Sequence, residues 1–479
     1  MTTDHGTEPS AADAHRAAQP QAKRRMPHAV VMMLLIITAS VALTYIVPSG
    51  RYARTKAGPV VPGSFHTIEK DYGAGVFHGK PGTDSVAYPA SPLAILTSIP
   101  VGMVRAAPLI MMILFIGGMF GVLQHTNAVN AGIDRLLGAT GGNANIVVPV
   151  FMILLACGST FLGLISEYLV IIPIALVLAE RLGRDALFGT AMVTVAAKIG
   201  YLTSVTNPLA LAVAQPLVGV PVFSNAWFRF GTFALFLPIG IWYVLRAPRA
   251  SEAISAPARP EVITVPFTAA HTGVLAALGG AVGLMIWGVQ RYDWSYSELS
   301  AMYIGLALAI AAIGRVGSRD ASQSFVKGMQ GMMLAALLVG LAAAVEVVLR
   351  EGMVLDTIIA SLTRTVEGRH PVLVANGMMA LQMIIDVFIP STSGKAAVTM
   401  PILGPIGQLS GVSGQVTVQA FLFGNGIMNT LTPTSGMLLA YLATGKVAYG
   451  DWIRFIMPLA LLLVGLCAIA LTAAVLFGL

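Results

Sequence analysis

Residues 371–409 read PVLVANGMMALQMIIDVFIPSTSGKAAVTMPILGPIGQL. Two apolar arms, Val372–Ile389 and Ala396–Leu409, flank the polar string Pro390-Ser391-Thr392-Ser393-Gly394-Lys395. Each arm has only about 15 to 20 residues, so the tip between them stops partway through a bilayer. Lipid tolerates such a re-entrant hairpin only where protein or a water-filled cavity satisfies its backbone. Small hydroxyl residues at the tip suit helix ends that must satisfy free amides or coordinate a ligand.

A second hairpin lies earlier in the chain. Asn145–Leu164 and Leu169–Leu182 flank Ser166-Glu167-Tyr168. Each hairpin is followed by a helix that breaks in mid-span. The first break carries Thr203-Ser204-Val205-Thr206-Asn207-Pro208, the second Asn429-Thr430-Leu431-Thr432-Pro433-Thr434-Ser435-Gly436. Proline with hydroxyl and amide neighbours unwinds a span and frees carbonyl oxygens. Half-helix amino ends then favour an anion, and carboxyl ends a cation. One Ser/Thr-Pro in a span usually means only a kink. Two of them, each after a polar hairpin tip, point to a central site.

The chain also matches itself at an offset of about 226 residues. Gly102-Met103 falls on Gly328-Met329, and Val129, Ile133 and Leu137 fall on Val354, Ile358 and Leu362. Pro173 falls on Pro401, Pro208 on Pro433, and Trp227-x-Arg229-Phe230 on Trp452-x-Arg454-Phe455. The fold expected is an all-α polytopic membrane protein of two inverted repeats, each with a re-entrant hairpin and a discontinuous helix, the signature of secondary transporters. Residues 1–26 read as a disordered cytoplasmic tail. The first repeat spans 27–247, with its hairpin at 145–182 and broken helix at 186–213. A cytoplasmic linker (248–268) and a linking span (269–290) lead to the second repeat at 291–479, with hairpin 371–410 and broken helix 415–443. A short interfacial helix is expected at 92–107, and other spans near 29–47, 109–124, 228–246, 299–314, 330–349 and 455–478.

Composition narrows the function. Of 479 residues 56% are apolar and 10% charged, where a soluble protein carries about 25% charged residues. That leaves too little polar surface for a water-soluble globule. A net charge of +7 raises nucleic-acid binding, but the basic residues are scattered through loops without interleaved aromatics, so no nucleic-acid partner is expected. Lys23, Arg24 and Arg25 before the first span hold the amino terminus in the cytoplasm. Arg246, Arg249 and Arg259, and Arg315, Arg319 and Lys327, mark later cytoplasmic loops. Arg291-Tyr292-Asp293-Trp294 suits an external interface. Two cysteines, Cys157 and Cys467, exclude a disulfide scaffold. No P-loop, Ser-His-Asp or metal-ligand spacing is present, which argues against an ATP-driven pump or an enzyme.

Charges inside spans are functional candidates by default. Glu167 and Lys395 stand at the two tips, and Lys198 precedes the first break. Lys198 suits a substrate carboxylate, the place of a coupling cation, or an ion pair with Glu167. Asp386 is a candidate proton relay, and Glu346 reads as a charge paired within the bundle. His125 and His370 fall near span ends.

At these motifs the sequence resembles the anaerobic four-carbon dicarboxylate carrier C family and related proteins described as basic amino-acid antiporters, in the ion transporter superfamily. The resemblance rests on Phe388-Ile389-Pro390-Ser391-Thr392-Ser393-Gly394-Lys395-Ala396-Ala397, Thr399-Met400-Pro401-Ile402 and Leu431-Thr432-Pro433-Thr434-Ser435-Gly436. Ser166-Glu167, Ile172-Pro173, Asn207-Pro208, Ala214-Gln215 and Pro221-x-Phe223-Ser224 support it. It runs from about residue 27 to the carboxyl end. It implies the elevator-type ion transporter fold: a bacterial inner-membrane carrier, often a homodimer, in which a transport domain moves against a scaffold. It places Ser166, Asn207, Ser391, Thr392, Ser393, Thr432 and Thr434 at the site. Relatives typically have an uncharged residue, often Gln, where Lys395 stands, and Asp where Asn425 stands. Both departures make the site more positive, which argues against a cationic substrate.

The reading is therefore a secondary active transporter of a small organic anion, a carboxylate or dicarboxylate, coupled to sodium or protons, without a cofactor or structural metal. Its partners are that substrate and the lipid bilayer. Candidate binding residues are Ser166, Glu167, Tyr168, Lys198, Thr206, Asn207, Ser391, Thr392, Ser393, Gly394, Lys395, Asn425, Asn429, Thr432, Thr434 and Ser435, with Lys395 and Lys198 expected to meet the carboxylate. The rival readings are an amino-acid exchanger, basic or zwitterionic, and a passive channel, which has no need of paired hairpins.

Overall fold

A computed structural model describes residues 29–55, 60–73, 83, 86–141, 143–247, 267–292 and 294–479. The expected tail with Lys23, Arg24 and Arg25, most of the linker with Arg249 and Arg259, and Asp293 lie outside the described residues. In chain order the helices are α1 (Ala29–Ile46), α2 (Ala94–Arg105), α3 (Ala107–His125), α4 (Ala128–Thr140), α5 (Ala144–Leu162), α6 (Ile171–Arg181) and α7 (Ala186–Thr203). Then come α8 (Pro208–Leu217), α9 (Ala226–Leu245), α10 (Ala269–Tyr292), α11 (Tyr296–Ile313), α12 (Ser318–Gly331) and α13 (Met333–Glu351). The chain ends with α14 (Leu355–Thr363), α15 (Pro371–Phe388), α16 (Thr392–Leu409), α17 (Gly414–Leu431), α18 (Gly436–Thr444) and α19 (Tyr449–Leu476). Among the described residues, nine helices are long and apolar enough to cross a membrane.

The all-helical expectation needs one correction. Between α1 and α2, β1 (Ser49–Arg51), β2 (His66–Lys70) and β3 (Val86–Ala87) form a small sheet in that order. The first pair is antiparallel and the second parallel. Strands this short give a period-2 pattern nothing to repeat over. The sheet is fastened to the start of α14. Arg54 pairs with Asp356 at 3.1 Å, the Tyr52 amide donates to Asp356 Oδ2 at 3.0 Å, and Ser49 Oγ donates to the Gly352 carbonyl. Lys70 donates to the carbonyls of Thr44 and Val47 and so closes the carboxyl end of α1.

One further expectation shifts. The stretch with Arg319 and Lys327, drawn as a loop, is a polar helix, α12, joined at Met332 to the apolar α13, which matches the span drawn at 330–349. The helix expected at the interface, α2, packs along α13. Gly102 meets the backbone of Gly340 and Ala344 so closely that a Cβ there would come within 2.6 Å.

The polar segments are shaped by local rules. Asn143 opens α5 by accepting from the Asn145 amide, and Gly163 closes it at φ 77. A single 3₁₀ turn, Ser166–Val170, leads into α6. Asp185 caps α7, which is buried from Phe188 to Thr203 and so shows no polar face in its sequence. It ends at Ser204, held at φ 41, and Pro208 starts α8. Ser391, Ser413 and Ser435 cap α16, α17 and α18. The hairpin arms and broken helices pack on one another together with α9 and α19. A second group gathers α1 to α3 with α10 to α13, and the two groups meet where α13 packs on α18.

Candidate functional site

A cavity of about 610 Å³ lies at that junction. Ala106, Leu109, Tyr296, Val339, Ala342 and Glu346 line it from the second group. From the first, both hairpin tips reach it through Ser166 and through Ser391, Thr392 and Ser393. Both broken helices reach it too, through Lys198, Tyr201 and Pro208, and through Asn429, Thr434 and Ser435. Four elements distant in sequence thus share one space.

Lys198 is the most exceptional group on this wall. It is 5% exposed and lines the cavity. Its side chain forms no hydrogen bond or ion pair among the described residues. The expected alternative of an ion pair with Glu167 is not formed. Glu167 is buried at its own tip, where its carboxylate accepts from the Ile165 amide at 2.8 Å. Asp386, not Glu167, is the carboxylate within electrostatic reach of Lys198.

Behind the wall lies a closed polar network. Lys395 Nζ donates to Asp386 Oδ1 at 2.5 Å and to Asn425 Oδ1 at 2.7 Å, and all three residues are fully buried. Asn429 Nδ2 donates to both Asp386 oxygens and to Asn425 Oδ1. Asn425 Nδ2 donates to Tyr201 Oη and, at 3.2 Å, to Thr392 Oγ1. Ser435 Oγ donates to Asn429 Oδ1 at 2.9 Å. Lys395, expected to meet the substrate, is not among the residues that line the cavity and is held by Asp386 and Asn425. Burial drives this arrangement: a lone ammonium in the protein interior costs several kcal/mol, and the nearest carboxylate relieves it.

The other candidates divide between cavity and scaffold. Tyr168 Oη donates to the Leu155 carbonyl at 2.5 Å and pins the first hairpin shut. Thr206 sits at the first break and donates from its amide and its hydroxyl to Thr160 and Phe161 carbonyls. Asn207 is buried there, donating to Ser204 Oγ and accepting from the Ala210 amide. Thr432 and Thr434 share a 2.7 Å hydroxyl contact at the second break. Gly394 gives its amide to Ser391 Oγ. Glu346 is paired as expected, to Arg105 at 3.1 Å and Arg350 at 2.7 Å. No group of three or more metal-ligating side chains occurs among the described residues.

Tyr201, which lines the cavity, was not expected at the site, nor was Gln382, whose main-chain carbonyl accepts from Lys395 Nζ at 3.4 Å, and Asp386 was not placed with Lys395. A sequence signal for the last existed: positions 386 and 395 lie symmetrically about the Pro390-Ser391 tip, so antiparallel arms bring them level. Two more residues serve the breaks. Arg229 Nε donates to the Val205 carbonyl at 3.2 Å, and Trp452 Nε1 to the Thr430 carbonyl at 3.0 Å. Each satisfies a carbonyl at or beside the unwound turn.

A model of the DcuC family, the C4-dicarboxylate anaerobic carriers, matches residues 26–476. A protein of Escherichia coli K12 named "Putative basic amino acid antiporter YfcC" is 29% identical over 500 residues, covering 96% of this chain and 98% of its own. An uncharacterized protein of Haemophilus influenzae is 26% identical, covering 92% of this chain and 95% of its own. The crystal structure of the YdaH transporter of Alcanivorax borkumensis aligns with 94% of this chain and 99% of that one, at a TM-score of 0.44 and 17% identity.

Proposed function

Because the chain belongs to the C4-dicarboxylate anaerobic carrier family, and so is a membrane transporter, we propose that it is a secondary active carrier of a small organic anion bearing one or two carboxylates. The observation that carries this reading is Lys198, a buried ammonium on the wall of the cavity with no hydrogen bond or ion pair among the described residues. A carboxylate arriving there gains a charge-assisted hydrogen bond and relieves an unpaired charge at the same time. Ser391, Thr392, Ser393 and Ser435, with the amino ends of α16 and α18, would orient its oxygens.

In this reading the hairpins and broken helices move together against the second helix group. The site passes from one face of the membrane to the other in an elevator step, within a homodimer in the bacterial inner membrane with its amino terminus in the cytoplasm. The two halves of the chain form inverted repeats, as their matched prolines support. Glu167, buried at the first tip without an ion pair among the described residues, would carry a coupling proton.

Glu346 on the opposite wall favours a second reading. An amino acid could place its carboxylate on Lys198 and its cationic group towards Glu346. Against this, two arginines already occupy Glu346.

Thermal unfolding of the purified protein with a panel of ligands tests the choice. Dicarboxylates should raise the midpoint, and arginine and ornithine should not. In Lys198→Gln the affinity for the stabilising anion should fall about 10- to 100-fold, the loss of one charge-assisted contact. Equal stabilisation of the variant would remove Lys198 from the site.

A further inference from the structure

Asp386 and Lys395 stand at the wrong ends of their helices. Asp386 lies in the last turn of α15, where free carbonyls make the end negative. Lys395 lies in the first turn of α16, where free amides make it positive. Neither serves as a cap, since Ser391 fills that role for α16. A fully buried ion pair is also a poor source of stability, because apolar residues of similar size often do as well. Helix ends and packing therefore give no reason for the pair.

The surroundings of the ammonium supply one. Lys395 Nζ is met by Asp386 Oδ1, Asn425 Oδ1 and, at 3.4 Å, the main-chain carbonyl of Gln382. These oxygens come from α15 and α17, two different elements. Asn429 donates to both Asp386 oxygens and to Asn425 Oδ1, which fixes their lone pairs in place. The ring of Phe421 closes the remaining side, its centroid 5.5 Å from Nζ. Lys198 is also in reach of Asp386, and Tyr201, Thr392 and Ser435 are further polar groups facing this cluster among the described residues. One carboxylate, one amide oxygen and one carbonyl converging on a single positive charge are oxygen donors of the kind that bind a hard monovalent cation such as sodium, with room for water to complete the set once the ammonium is gone. Free carbonyls and carboxylates hold coupling ions in the same way.

We propose that the Lys395 ammonium is a tethered cation filling a sodium-type site. The carrier then has its positive charge built in and transports without sodium, which leaves protons or a counter-substrate to drive it. The consequence for coupling rests on the transport reading above. The site itself does not, and it can be tested on the purified protein with no substrate present.

The experiment compares unfolding midpoints of the full-length protein in sodium chloride and in choline chloride, for wild type, Lys395→Met and Lys395→Met/Asp386→Asn. Shortening the side chain empties the oxygen cage, so Lys395→Met should gain about 3 °C or more in sodium chloride. Wild type and the double variant should be indifferent to the exchange. A Lys395→Met protein that stays monodisperse in sodium but aggregates in choline gives the same answer. The proposal is overturned if Lys395→Met is folded yet insensitive to sodium, or if it and Lys395→Gln aggregate in both salts, because a usable cage would have rescued them. It is equally overturned if wild type gains the sodium shift and the double variant loses it, since the cation would then bind beside Lys395.

Discussion

At the scale of single residues, what separates Lys198 from Lys395 is the partner and not the depth. Both ammonium groups are buried, at 5% and 0% exposure. One has Asp386 and Asn425 within hydrogen-bonding distance, and the other faces a cavity. Sequence reading found both lysines because charges in apolar spans are rare enough to count. It could not tell which of them was free. That depends on two residues nine positions apart meeting across a turn, and on a third from α17. The hydroxyls of Thr392 and Ser435 were legible for the same reason as the lysines. Tyr201 was not, because a tyrosine inside an apolar helix looks like core until Asn425 and Thr392 are seen against its hydroxyl. Glu167 gives the prediction at this scale. If it carries the coupling proton, Glu167→Gln should still exchange substrate across the membrane, while net uptake should lose its response to an imposed pH gradient. Uptake that keeps the same response would remove Glu167 from the proton path.

At the scale of elements, the breaks are built by contacts and not by proline alone. The first is held where Ser159 Oγ donates to the Ala197 carbonyl at 2.7 Å and the Val205 amide donates to Thr160 Oγ1 at 3.0 Å. Those contacts require α5 and α7 to lie close, and Gly200 allows it. A Cβ at Gly200 would fall 2.5 Å from the Ala156 carbonyl oxygen and 2.7 Å from Ser159 Cβ. Gly200→Ala should gain about 1 kcal/mol of helix propensity. Overpacking against backbone costs about 1–3 kcal/mol, and here it wins because a main-chain oxygen cannot rotate away. A lower unfolding midpoint is expected, together with weaker anion binding as the break is pushed aside. A midpoint at or above wild type would mean that the two helices are free to separate. Nothing in the sequence marks Gly200 among the 50 glycines, since close approach is a property of the pair. The breaks themselves were readable, because Asn207-Pro208 and Thr432-Pro433 interrupt otherwise unbroken apolar runs. The matched Trp-x-Arg-Phe motifs agree in sequence but not in burial. Arg229 is buried and Trp227 exposed in the first, whereas Trp452 is buried and Arg454 exposed in the second. Each still sends one donor to its own break.

At the scale of the whole molecule, the elements that carry the polar residues form one packed group, and the cavity opens between it and α2, α3, α11 and α13. The order of apolar helices was legible from hydropathy, and so was the crowding of polar residues at four points. The small sheet was missed, because it draws on strands of only two to five residues tied to α14 from more than 300 positions away. If the polar group moves as a body, tying it to α13 should stop transport. Val339 and Gly436 face each other across the junction, with a Cβ at 436 lying 3.5 Å from Val339 Cγ2, which suits a disulfide. The central claim, an anion carried by a moving unit, is tested most directly by counterflow. Proteoliposomes holding Val339→Cys/Gly436→Cys, with Cys157 and Cys467 replaced by Ala, would be loaded with unlabelled dicarboxylate, monocarboxylate or arginine and given the same compound labelled outside. The account predicts accumulation of the anions but not of arginine, abolished on oxidation of the cysteine pair and restored by reductant. Accumulation of arginine, or undiminished counterflow with the disulfide formed, would contradict it.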